Sequence, residues 1–335
     1  MHLHLTNHIH NKNADDFNGN HQNSNIFQSI EMFNFYESVP KLEPVFLTVL
    51  NESNNIVATM LAVLHREHKG FLGNFSARSI IIGGPLVKEN NEEILNYLLS
   101  EYNKIIKKKA IYSQFRNLWN WSEKEKEIFE GHGFKFEEHL DIMHDLNISQ
   151  KELLSNMHKG RRKNVRRAEK VPLEFSLVKE KSDFNKCLLL IKKTYDKVGL
   201  PCPDKSFFLK SKEMLTDSSI LKMFAAKYKK DVIACRFVLC YNGLIYDWYA
   251  GADESHLDKY PNDFLPYRVM EWGIENNFDK FDFGGAGKPN KPYGVRDFKL
   301  KFGGELVNYG RFEKIHKPFF MRLGKLGIFL LKKFK

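Results

Sequence analysis

Cysteine is scarce in this chain. Its 335 residues include four, Cys187, Cys202, Cys235 and Cys240, and none stands in a C-x-x-C pair. That excludes a disulfide scaffold and a cysteine-based zinc site, and it points to a reducing, cytoplasmic setting. No run of about 18 apolar residues occurs, so no transmembrane helix is expected. The opening MHLHLTNHIHNKN has neither the basic start nor the apolar stretch of a secretory signal. Missing too are G-x-S-x-G, H-E-x-x-H, the Walker loop and the dinucleotide fingerprint. Serine-hydrolase, zinc-peptidase and nucleotide-fold chemistry therefore have no motif to rest on. The bulk composition, 42% hydrophobic and 28% charged, is that of a folded protein rather than a disordered one. The length suggests about two domains.

What is present is positive charge, concentrated in two places. The net charge is +11. Residues 159–170, KGRRKNVRRAEK, carry seven Lys/Arg against one Glu, and residues 317–335 carry six Lys/Arg and no acid. The rest of the chain is close to neutral. Two cationic elements on a neutral body suit polyanions: nucleic acid, phosphorylated substrates or an anionic membrane face.

Residues 1–24, rich in Asn and His, read as a loose lead-in with one short helix near 14–20. No set of ligands completes a metal shell around its histidines. From residue 25 the pattern alternates short strands and helices: a helix at 26–36, strands at 43–50, 56–65 and 79–87, a helix at 92–108, and further short elements to about 147. The strand at 79–87 is interrupted by Gly83-Gly84-Pro85. The second half, 148–316, opens on one long helix from Ser149 to about Lys170. Helices at 184–197 and 205–215 follow. Next come three strands, the last two joined by the hairpin signal Asn242-Gly243, then a helix at 264–276, a strand at 280–283 and a Gly-rich loop. The fold class is α+β. Residues 317–335 read as a terminal helix with Phe319, Leu323, Leu326, Leu330 and Phe334 on one face and basic residues on the other, the make-up of a helix that lies on an anionic membrane.

On a helical projection of the basic segment, Met157, Val165 and Ala168 fall within about 60° of Leu154. Lys159, Arg162, Lys163, Arg166, Arg167 and Lys170 form a stripe on another face. Arg161 alone falls on the apolar side, where it needs a carboxylate or phosphate partner. Charge runs are ordinarily solvated faces, but this one lacks interleaved acids, which favours phosphate contact. Downstream, Phe281-Asp282-Phe283-Gly284-Gly285-Ala286-Gly287-Lys288 leaves a strand and enters a loop, followed by Arg296 and Lys299. Such glycines let the backbone approach a ligand and turn N–H groups toward anions. Lys299 is placed to stabilise a developing oxyanion. The Gln/Arg-x-x-Gly-x-Gly/Ala signature of acetyl-CoA-dependent N-acetyltransferases is absent.

Several segments together resemble the Fem-type aminoacyltransferase family: Asn25–Phe35, Gly83-Gly84-Pro85, Asp145-Leu146 with Leu153–Lys170, Tyr249-Ala250-Gly251-Ala252 with Tyr260 and Pro266–Trp272, Asp282–Gly285, and Phe298-Lys299-x-x-Phe302-Gly303-Gly304. They keep the family order over about residues 25–315. The resemblance implies two tandem GNAT-like domains, 25–147 and 148–316, with mixed, mostly antiparallel sheets flanked by helices and the transfer site in the second. It implies acyl transfer from aminoacyl-tRNA to an amine of a nucleotide- or lipid-linked cell-envelope precursor, with no metal or resident cofactor. Lys299 would be the cation at the transferring carbonyl, with Tyr249 and Tyr260 in the transfer cleft. Asp282, Gly284, Gly285 and Arg296 would line it, and Lys159, Arg161, Arg162, Arg166 and Arg167 would face phosphates of tRNA. Where family members often read Ile-Asp-Pro near the acceptor, this chain reads Gln114-Phe115-Arg116-Asn117, which makes Arg116 the acceptor-side candidate. Two other readings stand beside this one. One is an acyl-CoA-dependent N-acyltransferase of surface-polysaccharide synthesis. The other is a non-catalytic RNA- or membrane-binding protein.

Overall fold

The computed structural model describes residues 3–6, 11–66 and 77–322. Its backbone divides into two units, one made of Met1–Glu138 with Tyr309–Lys335, the other of His139–Asn308. The first unit is built on strands β1 (His4–Thr6), β2 (Leu42–Leu50), β3 (Ile56–His65), β4 (Arg78–Ile82), β5 (Leu86–Val87), β6 (Tyr112–Arg116) and β7 (Lys135–Glu137). Its helices are α1 (Asn11–Gly19), α2 (Ile30–Ser38), α3 (Glu92–Ile106) and α4 (Glu123–Gly131). The sheet runs β1-β2-β3-β4-β6, then Arg311–Ile315 from the far end of the chain, then β7, with β5 paired to β3. Among its described strands only β4 and β6 run parallel.

Local chemistry explains these elements. Asn51 Oδ1 accepts from the amides of Ser53 and Asn55 and so turns β2 into β3. Asn91 caps α3, and Ser122 with Glu125 forms a capping box on α4. The face of α3 that carries Ile94, Leu95, Leu98, Leu99, Tyr102 and Ile106 is buried against the sheet. Gly83-Gly84-Pro85 parts the strand expected over 79–87 into β4 and β5. The gap is filled by the Gln28 amide, which accepts from Leu61 N at 2.7 Å and donates to Ile82 O at 2.7 Å. A Cβ on Gly84 would come within 2.7 Å of that amide, which is why glycine stands there.

The second unit holds β8 (Leu140–Asp145), β9 (Leu173–Leu177), β10 (Leu221–Tyr228), β11 (Asp231–Tyr241), β12 (Leu244–Ala252), β13 (Lys280–Asp282) and β14 (Glu305–Asn308). Helices α5 (Gln150–Asn156), α6 (Lys159–Ala168), α7 (Lys181–Val198), α8 (Lys205–Leu215), α9 (Pro261–Glu275) and α10 (Gly294–Leu300) pack around it. The sheet order is β14-β8-β13-β12-β11-β10-β9, antiparallel except for the pair β12–β13.

Three features differ from the expectation. The single helix over 149–170 is two: Met157 is extended (φ −71°, ψ 149°), and the His158 ring accepts from Gly160 N to start α6. The unit boundaries fall at 138/139 and 308/309 rather than at 147/148 and 316/317. The reason is pairing: β8 inserts between β13 and β14, burying Leu140 and Ile142 beside Phe281 and Phe283. Arg311–Ile315 inserts between β6 and β7, stacking Phe312 on Phe129 with centroids 4.0 Å apart. The strand expected to close the first unit, β8, thus belongs to the second sheet, and Arg311–Ile315, expected in the second unit, belongs to the first. The lead-in also contributes structure, because β1 pairs with β2 from His4↔Leu50 to Thr6↔Thr48. The amphipathic helix expected over 317–335 lies outside the described residues from 323 onward. Among the described residues no helix is long and apolar enough to cross a membrane.

Candidate active site

The candidate site begins where β12 and β13 part. Their parallel ladder runs Leu244↔Lys280, Ile245↔Phe281 and Tyr246↔Asp282 and stops there. Beyond it, β12 stays with β11 through a bulge in which Phe237 faces Tyr249 and Val238 faces Asp247, leaving Trp248 extra. The chain after β13 follows β8 instead: Phe283 N donates to Ile142 O, Ala286 N to Leu140 O, and Leu140 N to Gly287 O. The sheet therefore opens as a wedge between 247–252 and 283–287. Gly284 sits at its neck with φ +73°, and a Cβ there would lie 3.6 Å from Asp247 O and 3.7 Å from Lys299 Nζ.

Lys299, from α10, closes the neck. Its ammonium donates to Gly284 O at 2.9 Å and Gly285 O at 3.1 Å and lies 5.5 Å over the Phe283 ring. Among the described residues these are its two hydrogen bonds, which leaves one N–H of the ammonium. Burial pulls its pKa down; the carboxylates of Asp247, Asp141 and Asp282 oppose that shift, and Arg236 adds to it. Asp282 is buried, accepts from Gly284 N at 2.7 Å and is hydrogen-bonded to Asp141. Burial, then the neighbouring Asp141, pushes the Asp282 carboxyl well up. The two acids hold a proton between them, because two carboxylates in one buried site cannot both ionise. Arg236 pairs with Asp247 across the hairpin, both side chains under a tenth exposed, and lies 5.3 Å over Phe283. The Tyr195 phenol is pushed up by burial and by Asp247.

The residues nominated from sequence are only partly gathered here. Lys299, Asp282, Gly284 and Gly285 meet at the neck. The loop amide of Gly284 is spent on Asp282, and the carbonyls, rather than the N–H groups, face the cation. Arg296 is folded back on its own loop, donating to Lys288 O at 2.8 Å and Lys291 O at 2.7 Å, so it braces the loop. Tyr249 packs among Tyr195, Phe207, Phe208 and Trp248, with centroids 5.0–5.9 Å away. Tyr260 takes a left-handed turn before α9 (φ +59°), and its hydroxyl accepts from Arg167 at 3.1 Å. Arg116 belongs to β6 of the first unit and donates to Gln114.

The basic helix α6 needs one correction. Arg161 does not face outward: it is buried, ion-paired with Asp263, and lies 4.4 and 4.3 Å over the Phe298 and Phe302 rings. The partner its inward position demanded is a carboxylate of this chain. Arg162 is half-buried and donates to Ser155 O. Lys159, Lys163, Arg166, Arg167 and Lys170 are exposed.

Sequence reasoning missed Arg236, Asp247, Asp141 and Tyr195. A signal existed for the first two: one charge of each sign in two apolar strands flanking Asn242-Gly243, close to mirror positions about that turn.

With this geometry in view, residues 155–299 match the model of the acetyltransferase (GNAT) domain. No curated protein matches the chain. Among solved structures, FemX superposes with a TM-score of 0.76 at 17% identity, covering 96% of this chain and 99% of that one. A tandem GNAT protein of the clavulanic acid pathway gives 0.60 at 8% identity over 94% and 99%. The fold is a tandem GNAT fold. L-PGS from Bacillus licheniformis shares it with a TM-score of 0.54 at 14% identity, over 82% of this chain and 84% of that one. The matched GNAT domain spans most of the second unit and contains the wedge and Lys299. Among the described residues no group of three His, Cys, Asp or Glu is placed to hold a metal.

The acid pair gives a pH prediction. A carboxyl whose folded pKa is raised contributes most at low pH, and that contribution is lost as pH rises from the ordinary value of 3.8 through the folded one. Asp141→Asn replaces the shared proton with a permanent donor. The melting temperature of the variant relative to the unaltered protein is therefore expected to climb between pH 4 and 8. A difference that stays flat across that range would refute the shared proton.

Proposed function

We propose that this chain is an acyltransferase that takes the acyl group of an aminoacyl-tRNA and joins it to an amine of a nucleotide- or lipid-linked cell-envelope precursor, working on the cytoplasmic side. The observation that carries the choice of donor is the start of α9. A helix N-terminus following a strand is a ready site for a pyrophosphate such as that of CoA. Here Pro261 removes one N–H, Asp263 fills the first turn with a carboxylate held by Arg161, and the preceding turn carries Asp253, Glu254 and Asp258. The acids are themselves ion-paired, Asp253 with Lys186, Glu254 with Lys197 and Asp258 with Lys259, and the amides of Asp263 and Phe264 already donate to Tyr260 O, so this helix end has little left to offer a pyrophosphate. The cations stand instead on α6, spread along its exposed side, where they match a phosphate backbone better than a compact diphosphate. The likeness to FemX and L-PGS agrees with this reading.

The chemistry asks little of the protein. An aminoacyl ester is already reactive toward a free amine, so the enzyme has to place the two and stabilise the tetrahedral oxyanion. Lys299 at the neck of the wedge supplies the cation. The test is equilibrium binding to aminoacylated tRNA over a salt series, with CoA as competitor. The five exposed cations, those of α6 and Lys170 just after it, set an upper slope of about −4 in log K against log salt. A steep slope that CoA does not disturb is expected. Weak tRNA binding with saturable CoA binding would transfer the protein to the acyl-CoA reading.

A further inference from the structure

We infer that Asp247 receives the α-ammonium of the donor's aminoacyl group, and so distinguishes an amino acid from a plain acyl chain. The inference rests on the donor proposed above. Its basis is an unfilled acceptor. Asp247 is held by Arg236 through Oδ2, its side chain is 9% exposed, and its buried Oδ1 has no hydrogen-bond partner among the described residues. A buried carboxylate oxygen left unpaired is costly, and a ligand that fills it recovers that cost. Such an oxygen accepts only, so the ligand must bring a donor. A cationic N–H group is the strongest.

The position fits an amino acid. Asp247 stands on the bulge where β12 leaves β13, its own carbonyl beside Gly284, with Lys299 and Tyr195 among its electrostatic neighbours. Lys299 addresses a carbonyl oxygen, and Asp247 addresses a cation. An α-aminoacyl ester carries these two groups on adjacent carbons, whereas a simple acyl thioester has no cation to offer.

The experiment uses the full chain and three probes: a pool of charged tRNA, the same pool N-acetylated, and the deacylated pool. N-acetylation removes the ammonium and leaves ester and nucleic acid unchanged. The unaltered protein is expected to bind charged tRNA about tenfold more tightly than the acetylated pool, the range of one charge-assisted hydrogen bond. In Asp247→Asn the charged and acetylated pools should bind equally, with deacylated tRNA unaffected. The comparison within the unaltered protein stands even if the variant folds poorly. Equal binding of charged and acetylated tRNA, both above deacylated, would overturn the role of Asp247 and leave the donor reading standing. A variant that keeps the preference would overturn it too. Equal binding of all three pools would likewise overturn the role of Asp247 alone, whereas failure of all three to bind would remove the donor reading, and the role of Asp247 with it.

Discussion

Asp263→Ala is expected to destabilise the second unit by about 3–5 kcal/mol, the cost of leaving a buried charge without its partner. Arg161 is wedged between Phe298 and Phe302 and donates to Phe298 O at 3.1 Å as well as to Asp263. With the carboxylate gone the guanidinium cannot reach water without breaking that packing. Asn164, which donates to Asp263 Oδ1 at 3.1 Å, loses its acceptor at the same time. Arg161→Met combined with Asp263→Leu should cost much less than Asp263→Ala alone, because it removes both charges and fills the space. Urea unfolding of the two variants decides it. Equal losses would mean that the pair is uncoupled and Arg161 has another route to solvent. The pair also ties α6 to α9 and to the end of α10, so it fixes how the exposed cations are presented relative to Lys299.

This pair shows how far the sequence could be read. That Arg161 points inward follows from a helical projection, which is a local property. Which acid meets it does not, because Asp263 lies 102 residues further along and the contact is made only by packing α6 on α9. Periodicity likewise hid the break at Met157: its apolar stripe continues in phase with Val165 and Ala168, so the extended residue leaves no mark on the pattern. The strands themselves were legible, since alternation and the Asn242-Gly243 turn are local signals. The exchange of β8 and Arg311–Ile315 between the two sheets was not, because a strand's sequence states which face is apolar but not which edge it joins. At the wedge, the glycines and Lys299 were visible as types. Their relation was inverted: the loop turns carbonyls to the lysine and consumes the Gly284 amide on Asp282.

Lys299→Met is expected to lower the rate of aminoacyl transfer by about a hundredfold or more, the range seen when a preorganised oxyanion donor is removed. A loss below about tenfold, roughly 1.4 kcal/mol, would mean that Lys299 is not the oxyanion cation. Because Lys299 also holds Gly284 and Gly285, a fall in rate alone would not separate chemistry from loop support. The pH profile does. Burial lowers the lysine's pKa, so its charge is present at low pH and lost as pH rises through that lowered value. Transfer by the unaltered protein should therefore fall on the alkaline side earlier than an ordinary lysine would allow. In Lys299→Arg, where the charge persists at any practical pH, that alkaline limb should disappear even though the altered head group costs rate. A purely supporting lysine predicts the reverse pattern: melting temperature drops with the rate in Lys299→Met, and the alkaline limb is the same in Lys299→Arg as in the unaltered protein.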